Sequence, residues 1–274
     1  MNLFGIQLGS KFKIITIKVP GIGEVSVCPE RGGVITSLKF RGKEILYIEK
    51  DTLYNKEKNV HGGIPILFPN AGNIPDELKN KSLGNLKQHG FARDSSMWVF
   101  HKTHNGFKEI LIANSDTKKV YPYNFQLTIL GEFEKDGSFT ITQTVKNHDK
   151  DKYIPISSGL HPYFKIPNSL KKNIEFDFPG GNYIGENIAT WSNGTLVSRN
   201  NPKISMHINI PNLGIINLNI SKEFEKIWVW SETGKNFVCI EPIMRDKGGI
   251  IKEPEIIKPG ETFTAKFNIK LKNI

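Results

Sequence analysis

Phe125-Gln126-Leu127-Thr128-Ile129-Leu130 and Ser138-Phe139-Thr140-Ile141-Thr142-Gln143-Thr144-Val145, separated by a turn at Lys135-Asp136-Gly137-Ser138, carry the pattern that sets the fold class. Large apolar residues recur at alternate positions, which puts them on one face of an extended chain and their polar neighbours on the other. The turn sequence suits a hairpin, because Gly adopts left-handed dihedrals freely and Asp bonds the backbone just ahead of it. Two paired strands are therefore predicted here.

The same period recurs outward along the chain. It is present in Lys13–Val19, Glu24–Val27, Ile215–Ile220 and Phe263–Ile269, all rich in β-branched and aromatic residues and punctuated by Gly, Pro, Asn and Asp. Helical periodicity is almost absent, and the one helix expected is a short one near Leu53–Val60. Many short strands with frequent turns predict an all-β protein, a β-sandwich. No Pro/Gly/Ser-rich linker and no repeat of fixed period divides the chain, so residues 1–274 are read as a single domain.

Composition excludes several function classes. Hydrophobic residues make up 38% of 274 and charged residues 23%, a balance able to bury a substantial core. No run of eighteen apolar residues exists, so no membrane span is expected. The opening Met1-Asn2-Leu3-Phe4-Gly5-Ile6-Gln7 lacks a basic segment followed by a long apolar stretch, so no secretory leader is expected and the placement is read as cytoplasmic. Cys28 and Cys239 are too few for a disulfide scaffold and read as two buried thiols, with a single bridge between them as the alternative. The formal charge of +10 invites a nucleic-acid partner, yet only five of the 37 cationic residues are arginine and the lysines are scattered. Readers of bases and phosphates concentrate arginine, so none is expected. Gly21-Ile22-Gly23 and Gly62-Gly63 lack the further residues of a phosphate-cradling loop.

Four segments break the alternation, and functional sites tend to lie where local rules fail. Val60-His61-Gly62-Gly63-Ile64-Pro65-Ile66-Leu67-Phe68-Pro69-Asn70-Ala71-Gly72-Asn73 has too much Pro and Gly for a central strand, so it lines a cavity or is an ordinary buried crossover. In Gln88-His89-Gly90-Phe91-Ala92-Arg93-Asp94, a turn at Gly90 would converge His89 and Arg93 on sugar hydroxyls or a carbonyl; the plainer reading pairs Arg93 with Asp94. In Ser157-Ser158-Gly159-Leu160-His161-Pro162-Tyr163-Phe164, Pro162 biases His161 to an extended conformation. Gly159, His161 and Tyr163 then share a side, with the glycine leaving room for a ligand and the aromatic covering it. In Phe237-Val238-Cys239-Ile240-Glu241-Pro242, just beyond Trp228-Val229-Trp230, Glu241 ends an apolar run. A carboxylate there is paired, neutral or at the solvent edge, and burial raises its pKa toward the range of a general base.

Taken in order and spacing, HGGIPILFPNAG, HGFAR, SGLHPYF and VCIEP resemble the aldose 1-epimerase (galactose mutarotase-like) family from about Arg31 to Glu241. The resemblance implies a large, curved antiparallel β-sandwich with an open cleft for a pyranose, and the interconversion of α and β anomers of an aldose. It implies Glu241 as general base, His161 as general acid, and His89 beside them at the ring oxygen. It implies substrate contacts from Arg93, from Tyr163 and from the position of Asn73. No metal and no organic cofactor is implied. Relatives carry an arginine at the position of Asn73, and those acting on hexose 6-phosphates carry one at His61. No match to the sugar-contacting Asp of some relatives is found around Asn182-Tyr183-Ile184-Gly185-Glu186. The competing readings are a hexose-6-phosphate mutarotase, a non-catalytic carbohydrate-binding module, and a metal site from His61, His89, His161 and Glu241. The last lacks any short ligand spacing such as His-x-x-x-His.

Overall fold

The computed structural model describes residues 12–177, 195–200 and 205–272. Expectations for Met1–Gln7 and for Asn182-Tyr183-Ile184-Gly185-Glu186 concern residues outside these. The expected hairpin forms: Phe125–Phe133 pairs antiparallel with Phe139–Asn147, and Gly137 at φ +80° lies in the turn. Each strand alternates buried and half-buried positions from end to end, as the period-two pattern requires.

This hairpin lies inside an eight-stranded sheet. Its order is Glu175–Phe176, Ser205–Ile210, Gly214–Ile220, Thr262–Lys272, Phe139–Asn147, Phe125–Phe133, Gly106–Ile112 and Val99–Lys102. A six-stranded sheet runs Thr195–Asn200, Lys226–Ser231, Phe237–Ile243, Gly159–Leu160 and Ile66–Leu67, with Tyr163–Lys165 also paired to Phe237–Ile243. A four-stranded sheet from Ile15–Val19 to Lys43–Glu44 and a two-stranded ribbon of Ile154–Ile156 with Glu255–Ile257 complete the sheets. Inward side chains of the two large sheets, among them Leu127, Ile141 and Phe267 from one and Leu160, Val238 and Ile240 from the other, merge in one apolar cluster. That cluster makes the molecule a sandwich, and each fully buried aliphatic side chain in it contributes about 1.5–3 kcal/mol of transfer free energy.

The strand Phe237–Ile243 fixes the position of the site. It is buried at every residue. Val238 and Ile240 face the sandwich core. Phe237 and Cys239 face the opposite way, in a separate cluster with Tyr163, Tyr47 and Trp230. The outer face of the six-stranded sheet is thus roofed by side chains and loops, and Glu241 belongs to that face.

The helix expected at Leu53–Val60 is not there. One helical turn spans Lys50–Leu53 instead, and the chain beyond it is irregular. The guanidinium of Arg31, itself buried, bonds the carbonyls of Thr52, Leu53, Asn55 and Lys58, groups that a continuing helix would need for its own amides. The Asn55 side chain also accepts from the amide of Glu57, which favours a turn. Two further short helices lie at Ser115–Val120, where Asn114 and Thr117 form a capping box, and at Gly249–Lys252. No helix among the described residues is long and apolar enough to cross a membrane. Cys28 and Cys239 are both free and buried.

Candidate active site

A cleft of about 320 Å³ opens on the outer face of the six-stranded sheet. Its floor comes from neighbouring strands. Glu241 stands on Phe237–Ile243 and His161 lies in the segment between Gly159–Leu160 and Tyr163–Lys165, both of which pair with that strand. His161 Nε2 lies 3.4 Å from Glu241 Oε1, and both side chains are almost wholly buried. The imidazole is fixed as a plane: Tyr163 stacks on it at 4.6 Å with 9° between the rings, and Trp230 meets it edge-on at 5.8 Å. Trp230 and Phe237 back Tyr163 in turn.

The second wall is the bend carrying His89 and Arg93. His89 (φ +65°) and Gly90 (φ +71°) are successive left-handed residues. A Cβ on Gly90 would stand 2.0 Å from the carbonyl oxygen of Phe68, so only glycine lets the two segments touch. Phe91 and Ala92 donate to that same carbonyl. The His89 ring ends 5.5 Å from the His161 ring. Its Nδ1 accepts from the amide of Gly72 at 3.0 Å, which leaves the proton on Nε2, the nitrogen beside the Gln88 carboxamide. Asn70 bonds the carbonyls of Gly72 and Lys87 and so ties the two segments together.

Electrostatics follow from burial. Desolvation first, then Arg93 and Lys247, push the His89 pKa down to about 3, so its ring is neutral near neutral pH and serves as a hydrogen-bond donor. Burial, with His89 and Arg93 beside it, holds His161 well below the ordinary histidine range. Burial pushes the Glu241 carboxyl well up, and Arg93 and Lys247 work against that rise. The raised carboxyl and the depressed imidazole both favour the neutral arrangement, a protonated Glu241 beside an uncharged His161, while Arg93 and Lys247 pull the carboxyl back toward its anion. Glu241 Oε2, His161 Nδ1 and Arg93 Nε are buried without hydrogen-bond partners. Such atoms cost free energy unless a ligand satisfies them.

His161, Glu241, His89, Arg93 and Tyr163 all line this cleft, and so does His61. Asn73 does not: it is exposed, and Gly72 takes its place at the wall. A Cβ on Gly72 would meet Trp228 Cη2 at 2.8 Å and Lys247 Cγ at 2.9 Å. Gly159 has a different use from the one expected. A Cβ there would sit 2.6 Å from Ile243 Cγ2, so its missing side chain makes room for the adjacent strand and not for a ligand. Arg93 lies 4.0 Å from Asp94, a distant pairing that leaves the guanidinium facing the cleft.

Trp228, Trp230, Glu232 and Lys247 also line the cleft, and sequence reading gave them no role. The tryptophans were readable: Trp228 pairs across from Glu241 and Trp230 from Cys239, so alternation places them on the cleft face. Trp228 is anchored by its Nε1 donating to Asp246 at 2.8 Å. Lys247 lies in the turn before Gly248-Gly249, and its only sequence signal is its nearness to Glu241.

The family model of aldose 1-epimerases matches residues 13–206. A Cenchrus ciliaris protein provisionally named glucose-6-phosphate 1-epimerase is 24% identical over 155 residues, which cover 53% of this chain and 44% of that protein. The match thus spans less than half the length of that curated relative. Among solved structures, the Slr1438 protein of Synechocystis sp. PCC 6803 superposes with a TM-score of 0.85 at 25% identity, covering 98% of this chain and 99% of that one. A galactose mutarotase-like protein from Lactobacillus casei gives a TM-score of 0.73 at 22% identity, with 95% and 100% covered.

Proposed function

The chain belongs to the aldose 1-epimerase family, and we infer that its cleft interconverts the α and β anomers of an aldose. The observation that carries this reading is the His161–Glu241 pair, 3.4 Å apart and buried on the floor of the cleft. Glu241, as carboxylate, takes the proton of the anomeric hydroxyl. His161, as imidazolium, gives its proton to the ring oxygen. The bond from C1 to the ring oxygen breaks as the C1 carbonyl forms. The pair is left as a neutral acid and a neutral imidazole, the arrangement that burial favours, so the open-chain stage is not penalised by the enzyme. Rotation about C1–C2 and the reverse transfers close the ring to the other anomer.

In this mechanism Tyr163 holds the imidazole plane, and His89 donates from Nε2 to a sugar oxygen near the ring oxygen. Arg93 presents its guanidinium to the substrate from the cleft wall. A hexose 6-phosphate is the second reading, supported by two cations, Lys247 and Arg93, lining the cleft and by the name of the Cenchrus ciliaris relative.

Polarimetry of freshly dissolved glucose, galactose and their 6-phosphates tests both. Catalysis of at least one of these is expected. Glu241→Gln and His161→Asn are each expected to lower it by about 100- to 10,000-fold, the worth of a positioned acid or base, in proteins that still melt cooperatively. Wild-type rates in either variant would sink the assignment. Acceleration confined to the phosphates would select the second reading.

A further inference from the structure

Cys239 takes no part in the chemistry above, yet it lies against it. It is two residues from Glu241 on the same strand and on the same face. One ligand atom each from Cys239, His161 and Glu241 falls within 4.8 Å of the others. All three side chains are buried. His161 and Glu241 line the cleft, which gives the trio an opening to solvent.

We propose that Cys239, His161 and Glu241 form a binding site for a thiophilic divalent cation, zinc foremost, and that its occupation reversibly silences the acid–base pair. Zinc takes sulfur at about 2.3 Å and nitrogen or oxygen at about 2.0–2.2 Å in a tetrahedron, which sets neighbouring ligand atoms about 3.3–3.8 Å apart. His161 Nε2 and Glu241 Oε1, at 3.4 Å, already stand at that spacing. The widest separation in the trio, at most 4.8 Å, closes with a side-chain adjustment of about 1 Å. Sulfur, imidazole and carboxylate together select zinc, cadmium or cobalt over magnesium or calcium, which prefer oxygen alone.

A second observation points to the same place. Glu241 Oε2 is buried with no hydrogen-bond partner, although its residue is only 1% exposed. A cation held by both carboxylate oxygens would satisfy it. On binding, the Cys239 thiol proton and the Glu241 carboxyl proton leave to solvent as the bonds from metal to sulfur, nitrogen and oxygen form. The three protein ligands leave a fourth position open to the cleft, for water or a sugar oxygen. With His161 and Glu241 held on the metal, neither can exchange a proton with substrate.

The binding arm of this proposal stands apart from the proposed reaction; the silencing arm rests on it. Metal-free protein titrated with zinc is expected to bind one equivalent, to lose anomer exchange, and to recover on addition of EDTA. Cobalt(II) gives a readout that needs no turnover, because thiolate ligation adds a sulfur-to-cobalt charge-transfer band in the near ultraviolet. Cys239→Ser is expected to retain zinc-free turnover, to lack the band, and to need about 100-fold more zinc for half-inhibition, as loss of one ligand in three implies. Cys239→Ala serves the same purpose if the serine variant fails to fold. A cobalt complex without the band, or cysteine variants as zinc-sensitive as the wild type, would overturn the proposal. Should the zinc-free protein leave sugars untouched, the proposed reaction fails while the cobalt spectrum still decides the metal site.

Discussion

His89 holds a left-handed backbone, φ +65°, that side-chain-bearing residues rarely adopt, at a cost of about 1–3 kcal/mol. The amide of Gly72, bonded to its Nδ1, is what the strain secures. Its pKa of about 3 in the folded chain, against 6.5 in the unfolded one, makes the unfolded state bind more protons between those values. Stability from this residue is complete above pH 6.5 and is lost as pH falls toward 3. Melting temperatures measured from pH 7 to pH 4 should therefore drop more steeply for the wild type than for His89→Gln. Glu109 has the opposite sign. It is fully buried beneath Gly33 and Trp98, both carboxyl oxygens lack partners, and burial lifts its pKa to about 8. The folded state then binds the extra proton between pH 4.5 and 8, so stability falls as pH rises through that window. Glu109→Met should raise the unfolding free energy in denaturant titrations, by a margin that widens from pH 5 to pH 8 and reaches on the order of a few kcal/mol. A margin independent of pH would show that Glu109 titrates normally.

At the scale of elements, the bend from Gln88 to Asp94 does the positioning. It presses Gly90 onto the Phe68 carbonyl and Arg93 onto Gly32, where an added Cβ would lie 1.9 Å from the Arg93 carbonyl oxygen. Gly90→Ala combines that collision with a left-handed φ, so it is expected to destabilise by about 2 kcal/mol or more and to cost activity even in the folded fraction, since His89 and Arg93 flank it. Unchanged thermal stability in that variant would refute the close approach. Strands such as Phe125–Phe133 were legible because one buried face imposes a period of two on the sequence. The helix at Leu53–Val60 was misread because its carbonyls are claimed by Arg31, more than twenty residues away, and no local propensity records that. Asn73 was misplaced for a related reason. Its neighbour Gly72 is drawn to the cleft by contacts with Trp228 and Lys247 that only the folded chain brings together. His161, Glu241 and His89 were legible because each interrupts an apolar or regular stretch with a group costly to bury.

For the whole molecule, the sandwich has one face to spare. The eight-stranded sheet and the inner face of the six-stranded sheet supply the core, and the outer face of the smaller sheet is left to carry the cleft. Glu241 stands on a strand and His161 on the short link between two strands paired to it, while the rim, with His61, Gln88 and Lys247, lies outside the strands. On the proposed reaction, the floor would fix the chemistry and the rim would adjust the choice of sugar. In that proposed reaction the floor opens and recloses sugar rings. Two-dimensional exchange NMR of the anomeric protons measures this directly at equilibrium, with no need to prepare one anomer. Cross-peaks between α and β signals of an aldose or its 6-phosphate should appear with catalytic amounts of wild-type protein and vanish with Glu241→Gln. Cross-peaks that persist undiminished in Glu241→Gln, or that never exceed the protein-free rate across the sugar panel, would contradict it.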